Sequence, residues 1–259
     1  MMHATATATA TQQSSPQGSP LGAAEATRYR AVLERVFIFQ DLSPPQIEAL
    51  LERTLVLRRR SGALLAARDE VAGSFYVLAE GRAKVTVSGT NGREVTLNVV
   101  RPGEFFGEVS IIDGGPRTAD VIALDSVVVL SIEREAFLNA VRQKPQIAIR
   151  MLQTMAKRLR RADEAIAGLA LMDVEERLRR TLIGLASDDG EHIAEGLVVR
   201  RRPTQQELAN MIGSCRETVS RTLADLGRKG LVVARGRGLL LARGFVNGEM
   251  PKNMPLKAV

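Results

Sequence analysis

The sequence feature that most constrains the fold is a pair of short helix patterns on either side of one glycine, within residues 203–227. Thr204 and Glu207 have the spacing of a capping box, in which the threonine hydroxyl accepts from the glutamate amide and the carboxylate reaches back. The helix that begins there ends at Gly213, and Ser214–Glu217 has the spacing of a second capping box. The inward side chains of the second helix are Val219, Leu223 and Leu226. Two short helices joined by such a turn predict a helix-turn-helix.

The second helix of such a motif enters the DNA major groove, with its N-terminal side chains facing base edges. A guanidinium can donate two hydrogen bonds to guanine, and a carboxylate can accept one from the cytosine amino group. The candidate base-reading residues are Arg216, Glu217, Ser220 and Arg221, and the flanking candidates are Gln205, Ser214 and Thr218. Gln205 and Thr218 are better placed for phosphates, which orient a protein without reading sequence. The alternative is that the charged members form a solvated salt-bridge face.

The residues after this motif predict a two-stranded wing with a cationic tip. Leu231–Val233 and Leu239–Ala242 have strand patterns, and Arg237 lies in the turn between them as a further DNA-binding candidate. Residues 200–259 carry 12 Lys/Arg and 4 Asp/Glu, a net charge of +8 against +7 for the whole chain. Because cationic side chains displace phosphate counterions, this segment favours double-stranded DNA as a partner. A basic surface that serves solubility is the alternative.

Within residues 54–132 the hydrophobic period changes to two, which predicts strands. The β-branched segments 75–78, 83–87 and 94–99 are separated by glycine corners, and Asn91-Gly92 is a hairpin signal because both residues tolerate positive φ. No helix is predicted between these strands. Short antiparallel strands of this kind predict a β-roll that closes around a small ligand.

Helical patterns flank the roll. Residues 28–37 and a helix capped at Ser43 precede it, residues 134–143 follow it, and one long helix is predicted over 145–172. Its apolar positions alternate spacings of four and three: Ala148, Leu152, Met155, Leu159, Ala162, Ile166 and Leu169. This heptad seam predicts pairing with the same helix of a second subunit, a homodimer, and packing on its own domain is the alternative.

These patterns give a domain organisation of class α+β. It consists of a disordered tail (1–27), a β-roll effector domain (28–144), a dimerisation helix (145–172), a winged helix-turn-helix (173–247) and a flexible tail (248–259). With 259 residues, 45% of them hydrophobic, the chain can bury the cores of two folded domains.

Cysteine count and hydropathy exclude several protein classes. Cys215 is the only cysteine, so an intrachain disulfide, a four-thiolate iron–sulfur cluster and a cysteine zinc site are excluded, and we expect a packing residue rather than a redox sensor. His192 is predicted to lie in a loop, and no metal or haem is expected. The absence of a long apolar run and of a secretory signal predicts a cytoplasmic protein without membrane contact. No Ser/His/Asp or metal-ligand grouping indicates an enzyme.

A glycine-flanked loop provides a candidate effector site. Residues 106–110 and 113–119 bracket Glu108 and Arg117. A phosphate needs exposed backbone amides and a guanidinium, and a ribose hydroxyl needs a carboxylate acceptor. The loop therefore predicts nucleotide binding, and a Glu108–Arg117 salt bridge across a turn is the alternative.

The order of these parts resembles the CRP/FNR family of bacterial regulators over about residues 30–245. The segment from Phe106-Gly107-Glu108 to Arg117-Thr118-Ala119 is similar to the family's phosphate-binding cassette, residues 169–174 to its hinge, and Gly213–Arg221 to its recognition element. The resemblance implies a cyclic-nucleotide-binding β-roll, a long dimerisation helix and a winged helix-turn-helix. It also implies a cyclic nucleotide, such as cyclic AMP, as the allosteric effector.

The resemblance implies roles for single residues of the effector site. Glu108 would hold the ribose 2′-hydroxyl, and Arg117 and Thr118 would hold the cyclic phosphate. Gly107 would offer its backbone, and Arg158 falls where the family places an arginine near the nucleotide. The full effector-binding set is Gly107, Glu108, Val109, Arg117, Thr118, Arg158 and Asp163.

On the DNA side, the resemblance implies that Arg216, Glu217 and Arg221 read a half-site like TGTGA, with a two-fold-related copy one helical turn away. It also implies RNA polymerase as a partner, since segment 187–192 lies where family members make that contact.

The departures from the family's cyclic-AMP-binding members leave the effector open. Those members meet the adenine with a Thr-Ser pair on the long helix, where this chain has Ala162-Asp163. Cyclic GMP, cyclic di-GMP, another small molecule or no ligand are the alternatives. An arginine that contacts phosphate is replaced by Gln205, and a Cys-Ser pair is transposed to Ser214-Cys215. A nucleotide-sensing subunit of a kinase or channel, without DNA binding, is the remaining alternative, but it would need no basic wing.

Overall fold

The computed structural model describes Ser19, Pro20 and residues 22–90 and 92–248. They form two compact units, one from residues up to 83 with residues 100–150, the other from residues 84–99 with residues from 151 onward. Both contain helices, antiparallel strands and buried apolar side chains. The predicted α+β class is therefore confirmed.

The strands that precede the long helix form two antiparallel sheets. They are β1 (Ser19–Pro20), β2 (Thr54–Arg59), β3 (Leu64–Ala66), β4 (Ser74–Glu80), β5 (Ala83–Ser88), β6 (Glu94–Val100), β7 (Phe105–Phe106), β8 (Asp120–Ala123) and β9 (Val127–Glu133). The strand orders are β1-β2-β9-β4-β7 and β3-β8-β5-β6. The strands predicted within residues 54–132 are confirmed, and the hairpin turn is closed by the Gly92 amide donating to the Gly89 carbonyl at 3.0 Å. Asn91 itself lies outside the described residues.

The helices of the first unit are α1 (Ala23–Arg35), α2 (Pro44–Leu51), α3 (Glu108–Asp113) and α4 (Arg134–Gln143), with a 3-10 turn at Phe37–Phe39. α4 has its predicted bounds, and α2 begins after Ser43 as predicted. Ser43 also forms a capping box with Gln46, which was not predicted.

Two predictions for this unit are wrong. A disordered tail to residue 27 conflicts with helix α1 and with the pairing of Ser19 with Val56, although residues 1–18 and 21 lie outside the described residues. The strands are also interrupted by α3, where no helix was predicted. A six-residue helix between two glycines is too short to show a helical period.

Aromatic rings occupy the centre of the first core. Phe75 of β4 stacks on Phe137 of α4, with ring centroids 4.1 Å apart and planes 7° apart. Phe39 and Phe105 contact Phe75 at 6.2 and 5.3 Å. Five consecutive residues of β4 are buried, which explains why this central strand has a continuous apolar run instead of an alternating one.

The long helix α5 (Gln146–Leu171) has 26 residues, close to the predicted range. Ile147 and Met151 near its start are buried. Farther along, Leu152, Leu159 and Ile166 of the heptad seam are 62%, 64% and 65% exposed, so the described residues leave this apolar face uncovered. None of the helices within the described residues combines the length and apolarity needed to cross a bilayer.

The second unit continues with α6 (Val174–Asp189), β10 (Glu191–Ile193), β11 (Gly196–Val199), α7 (Gln205–Ile212), α8 (Arg216–Arg228), β12 (Val232–Arg235), β13 (Gly238–Ala242) and α9 (Arg243–Asn247). Its sheet has the antiparallel order β10-β11-β13-β12. The core side chains come from α6, α7, α8 and the sheet, among them Leu178, Leu182, Leu208, Val219, Leu226 and Leu241.

The wing predicted from two strands is thus one half of a four-stranded sheet. His192, predicted to lie in a loop, belongs to β10 and is paired with Leu197. β10 was missed because it has only three residues, none of them fully buried, and so shows no alternation.

The start of α6 concentrates charge. Asp173 caps the helix by accepting from the Glu176 amide at 2.8 Å. The Glu176 carboxylate accepts hydrogen bonds from Arg179 at 2.7 Å and from Arg180 at 2.9 Å. These two hydrogen bonds lower the pKa of Glu176 from its usual 4.5 to about 2.

A leucine of the first core provides a test of this fold. Leu130 in β9 is fully buried, whereas Leu64 in β3 is 51% exposed. Leu130→Ala should lower the free energy of unfolding by about 2–5 kcal/mol, because a cavity is left behind. Leu64→Ala should lower it by about 0.5 kcal/mol or less. Urea unfolding followed by circular dichroism measures both, and equal decreases would contradict the placement of β9.

The low pKa of Glu176 predicts that part of the folding stability is lost in acid. Because its folded pKa lies below the unfolded value, its contribution is fully present above pH 4.5 and is lost as the pH falls towards about 2. The thermal midpoint of Glu176→Gln should therefore fall less than that of the native chain over this range. Glu175→Gln, at the same helix end, is the matched control. Parallel pH profiles for the native chain and Glu176→Gln would show that this ion pair does not act on stability.

Candidate effector site and nucleic-acid interface

The cassette loop turns at Gly107, between β7 and α3. Gly107 has a φ of +79°, a backbone angle that residues with a Cβ rarely adopt. A Cβ built at this position would lie 2.4 Å from Nη1 of Arg117. Farther along, the Ser110 hydroxyl donates to the Pro116 carbonyl at 3.1 Å. The loop therefore closes on itself, with its backbone directly against the Arg117 guanidinium.

Glu108 and Arg117 are the two charged side chains that are buried among the described residues, each 5% exposed. Arg117 donates to the carbonyls of Gly107 and Ser74, both at 2.6 Å. Its guanidinium carbon lies 5.1 Å from the centre of the Tyr76 ring. Within the described residues, these hydrogen bonds go to backbone carbonyls and not to Glu108, so the salt bridge considered as an alternative does not hold this loop.

This arrangement can bind an anion and a hydroxyl group. A guanidinium has five N–H groups in a planar fork, and it pairs well with phosphate oxygens. A carboxylate only accepts hydrogen bonds, and Glu108 therefore suits a donor such as a sugar hydroxyl. The two buried residues offer the functional groups that a ribose phosphate requires, and the residues present fit a nucleotide.

The other predicted effector residues have different surroundings. Val109 is half-buried in α3, and Thr118 is exposed directly after Arg117. Arg158 is half-buried and Asp163 is exposed, both on the part of α5 that belongs to the second unit. The structure therefore groups Gly107, Glu108, Val109, Arg117 and Thr118 in one cassette.

Sequence reasoning missed Ser74 and Tyr76 as partners of Arg117. Ser74 is 43 positions away, and its carbonyl carries no side-chain signal. Tyr76 stacks on Phe106 with ring centroids 4.9 Å apart, so the strand beneath the cassette supports both the loop and the guanidinium. Only the pairing of β4 with β7 brings these residues together.

The helix-turn-helix has the predicted first half. Thr204 accepts from the Glu207 amide at 3.1 Å, and the Glu207 carboxylate accepts from the Thr204 amide at 2.6 Å, which confirms the first capping box. α7 ends at Gly213, whose φ of +63° lies in the left-handed region. The Ser214 amide then donates to the Ala209 carbonyl at 3.0 Å and closes the turn.

The predicted second capping box is wrong. The N-cap of α8 is Cys215, not Ser214, and no side chain caps the helix in the manner predicted. After the left-handed glycine, Ser214 closes the preceding turn, and the helix begins one residue later at Arg216. The Cys215 sulfur lies 3.0 Å from the Thr218 hydroxyl, a local contact between two side chains.

The base-reading candidates lie on the outer face of α8. Arg216, Glu217 and Arg221 are exposed, whereas Val219 and Leu226 on the other face are buried. Hydrogen bonds from its own amide and from the Cys215 thiol lower the pKa of Glu217, so it is an ionised acceptor at neutral pH. The charge of the neighbouring Arg216 also lowers the pKa of Glu217, and among the ion pairs of the described residues none joins two of these three side chains within 4.0 Å.

The remaining candidates surround this face. Thr218 and Ser220 are half-buried on α8, and Ser214 is half-buried before it. Gln205 is half-buried at the start of α7, and Arg237 is exposed at the turn between β12 and β13, as predicted for a wing tip.

The predicted cationic tip of the wing is extended by a neighbouring arginine segment, residues 200–202, which was not predicted to lie there. The Arg202 amide donates to the Arg237 carbonyl at 3.0 Å, which joins the segment before α7 to the wing tip. We call the exposed arginines on this edge the arginine edge: Arg200, Arg201, Arg202, Arg235 and Arg237. Three consecutive arginines were the available sequence signal, but only the backbone pairing shows that they adjoin the wing.

Known proteins match both parts of the chain. A family model described as a cyclic nucleotide-binding domain matches residues 56–144, and one described as a Crp-like helix-turn-helix domain matches residues 176–243. The CRP-like cAMP-activated global transcriptional regulator of Mycobacterium tuberculosis is 32% identical over 211 residues, which cover 82% of this chain and 94% of that protein.

Other relatives agree. The cyclic AMP receptor protein of Thermus thermophilus is 29% identical over 195 residues, 75% of this chain and 87% of that protein. Among solved structures, the c-di-GMP-responsive global regulator CLP of Xanthomonas campestris has a TM-score of 0.67 at 25% identity, over 77% of this chain and 99% of that chain.

The family models and the Mycobacterium relative coincide with the two sites built above: the first model contains the cassette, and the second contains both helices around Gly213. Two family models match this chain, and a 32% identical relative matches over 82% of it. The chain therefore belongs to the CRP/FNR family of DNA-binding transcription regulators, a family without enzymatic activity.

Proposed function

We propose that this regulator is controlled by cyclic AMP bound in the cassette, and that it binds a TGTGA-type palindrome as a homodimer. The observation that carries the effector proposal is the buried guanidinium of Arg117, held by the backbone carbonyls of Gly107 and Ser74, together with the buried side chain of Glu108, the residue that follows Gly107. One buried cation and one buried acceptor match the single phosphate and the single ribose 2′-hydroxyl of a cyclic mononucleotide.

In this proposal Arg117 and Thr118 hold the cyclic phosphate, and Glu108 accepts from the ribose 2′-hydroxyl. Gly107 offers its backbone, and Val109 lies beside it in α3. Arg158 and Asp163 of α5 complete the set on the basis of the family resemblance, with Asp163 as an acceptor for an exocyclic amine.

Two relatives carry names that favour different effectors. The Mycobacterium protein is named as cAMP-activated, and the Xanthomonas protein as c-di-GMP-responsive. Cyclic di-GMP has two phosphates, whereas the buried residues of this cassette include one guanidinium. This difference supports the mononucleotide, and cyclic GMP and cyclic di-GMP are the competitors in the test below.

The uncovered seam of α5 supports the homodimer. Leu152, Leu159 and Ile166 recur every seven residues and are each more than half exposed. A second copy of the helix can bury them as knobs in holes, which makes self-association favourable.

The exposed face of α8 supports the DNA proposal. Arg216 and Arg221 can each donate to guanine, and the ionised Glu217 can accept from cytosine. Ser220 adds a hydroxyl near the bases, and phosphate contacts come from Gln205, Ser214, Thr218 and Arg237. RNA polymerase is proposed as a further partner at segment 187–192, on the family resemblance.

Control of DNA binding then requires that effector and DNA bind the same conformation. We propose that the effector changes the position of α5 and of the break that follows it, and so brings two recognition helices to a spacing of one DNA turn, about 34 Å. The effector acts only to the extent that it binds that conformation more tightly than the others.

Titration of the purified chain with cyclic AMP, cyclic GMP and cyclic di-GMP tests the effector. Cyclic AMP should bind most tightly and should raise the affinity for a TGTGA palindrome in fluorescence anisotropy. Arg117→Gln should weaken cyclic AMP affinity by about 10- to 100-fold, since charge-assisted hydrogen bonds contribute about 1.5–3 kcal/mol.

Arg53→Gln, an exposed arginine of the same unit, is the matched control and should bind like the native chain. Because Arg117 is buried, Arg117→Lys and the urea midpoint separate an effect on binding from an effect on folding. Unchanged cyclic AMP binding in a folded Arg117→Gln chain would remove this arginine from the effector site. Tighter binding of cyclic di-GMP would replace the proposed effector.

The arginine edge provides a second test. A backbone hydrogen bond joins Arg202 of this edge to Arg237 at the wing tip, and we propose that the arginines of the edge contact phosphates outside the base-read half-site. Replacing Arg200, Arg202 and Arg235 by alanine should reduce the slope of log K against log salt by about 0.9 for each phosphate that is no longer neutralised. The decrease in affinity should be equal for specific and random duplexes, whereas Arg216→Ala should relax base choice. An unchanged salt slope would exclude the edge from the interface.

A further inference from the structure

Arg177, in the first turn of α6, binds the ends of two other helices. Its Nη1 donates to the carbonyl of Met172, the first residue after α5, at 2.7 Å. Its Nε donates to the carbonyl of Ile212, the last residue of α7, at 3.0 Å. The last carbonyls of a helix have no partner within the helix, so one guanidinium satisfies two such groups from different helices.

The same region is held by close packing. A Cβ built at Gly168 of α5 would lie 4.0 Å from Cγ and Cδ of Arg177, so the aliphatic part of Arg177 passes over this glycine. A Cβ built at Gly213 would lie 2.8 Å from Cδ2 of Leu169. The last turn of α5 therefore contacts the turn of the helix-turn-helix directly, one residue beyond the carbonyl that Arg177 holds.

Between α5 and α6 the helix is interrupted for two residues, Met172 and Asp173, which we call the break. A short non-helical connection between two helices can act as a hinge and absorb a movement of the preceding helix. Arg177 bridges the break, because it belongs to α6 and its guanidinium holds the carbonyl of Met172 at the α5 end of the break. Its second hydrogen bond ties the same assembly to the end of α7.

We infer that Arg177 is a positioning residue that makes the end of α5 and the turn before the recognition helix move as one body. A displacement of α5 then reaches α8 instead of being absorbed in the break. Arg177 touches neither effector nor DNA in this scheme. The inference rests on the proposed function in one respect, that the effector acts through α5.

The test uses the full-length variant Arg177→Met, which keeps the aliphatic part and removes both hydrogen bonds. The first measurement is the affinity for the TGTGA palindrome with and without saturating cyclic AMP. The ratio of the two affinities should fall at least about fivefold, a change within the usual range of allosteric coupling. Cyclic AMP affinity without DNA and base selectivity should stay within about twofold of the native values.

The second measurement needs no effector. The Met172 amide donates to the Gly168 carbonyl and the Ser214 amide to the Ala209 carbonyl, both at 3.0 Å, and these amides report on the two ends that Arg177 joins. Hydrogen exchange at both should accelerate together in Arg177→Met, by about tenfold, with exchange in the β-roll unchanged. Arg180→Met, an exposed arginine one turn along α6, is the matched control and should leave both amides as in the native chain.

The outcomes separate the two proposals. If DNA affinity falls by the same factor with and without cyclic AMP, or if it does not change, Arg177 has no part in coupling and the inference is overturned. Acceleration at only one amide, or at neither, also overturns it. If the native chain shows no response to cyclic AMP, the proposed effector is wrong, and joint acceleration of the two amides still supports Arg177 as the link.

Discussion

The effector half of the chain depends on a buried positive charge. The Arg117 guanidinium is expensive to remove from water, and two backbone carbonyls and the face of Tyr76 offset part of that cost. This requirement determines the geometry around it. Gly107 must lack a Cβ because the guanidinium lies where that atom would be, and β4 must run beneath the loop because it supplies the second carbonyl.

The DNA-binding half depends on a different constraint, the end of α7. A left-handed glycine, a backbone hydrogen bond from Ser214 and the Arg177 guanidinium all act within three residues of chain. They determine the direction in which α8 leaves the turn and therefore which side chains face outward. The buried Val219 and Leu226 secure the opposite face, so Arg216, Glu217 and Arg221 are presented by packing as much as by their own chemistry.

Much of this could be predicted from local patterns. The helices of the first unit that have clear caps, the strands with a period of two, the long helix and the first capping box all follow from residues close together in sequence. The predictions failed where an element is very short, or where contacts formed in the folded chain decide how a residue is used. Helix α3 and strand β10 are too short to show a period, and Ser214 has the chemistry of an N-cap but is used to close the preceding turn.

At the candidate sites, too, some groups could be predicted from the sequence and others could not. The glycine at position 107 and the charges at 108 and 117 could be selected from the sequence because side-chain chemistry identifies them. The carbonyls of Ser74, Met172 and Ile212 could not, since every residue has a carbonyl and only the fold selects which one an arginine meets.

The contact between Gly213 and Leu169 has a consequence for how such a chain can diverge. A side chain at position 213 would have to adopt a φ of +63°, which residues with a Cβ rarely do. Its Cβ would also lie 2.8 Å from Cδ2 of Leu169, so the leucine side chain would have to move. A shorter residue at position 169 removes the second obstacle and leaves the first, and position 213 should therefore keep its glycine even where the leucine is replaced.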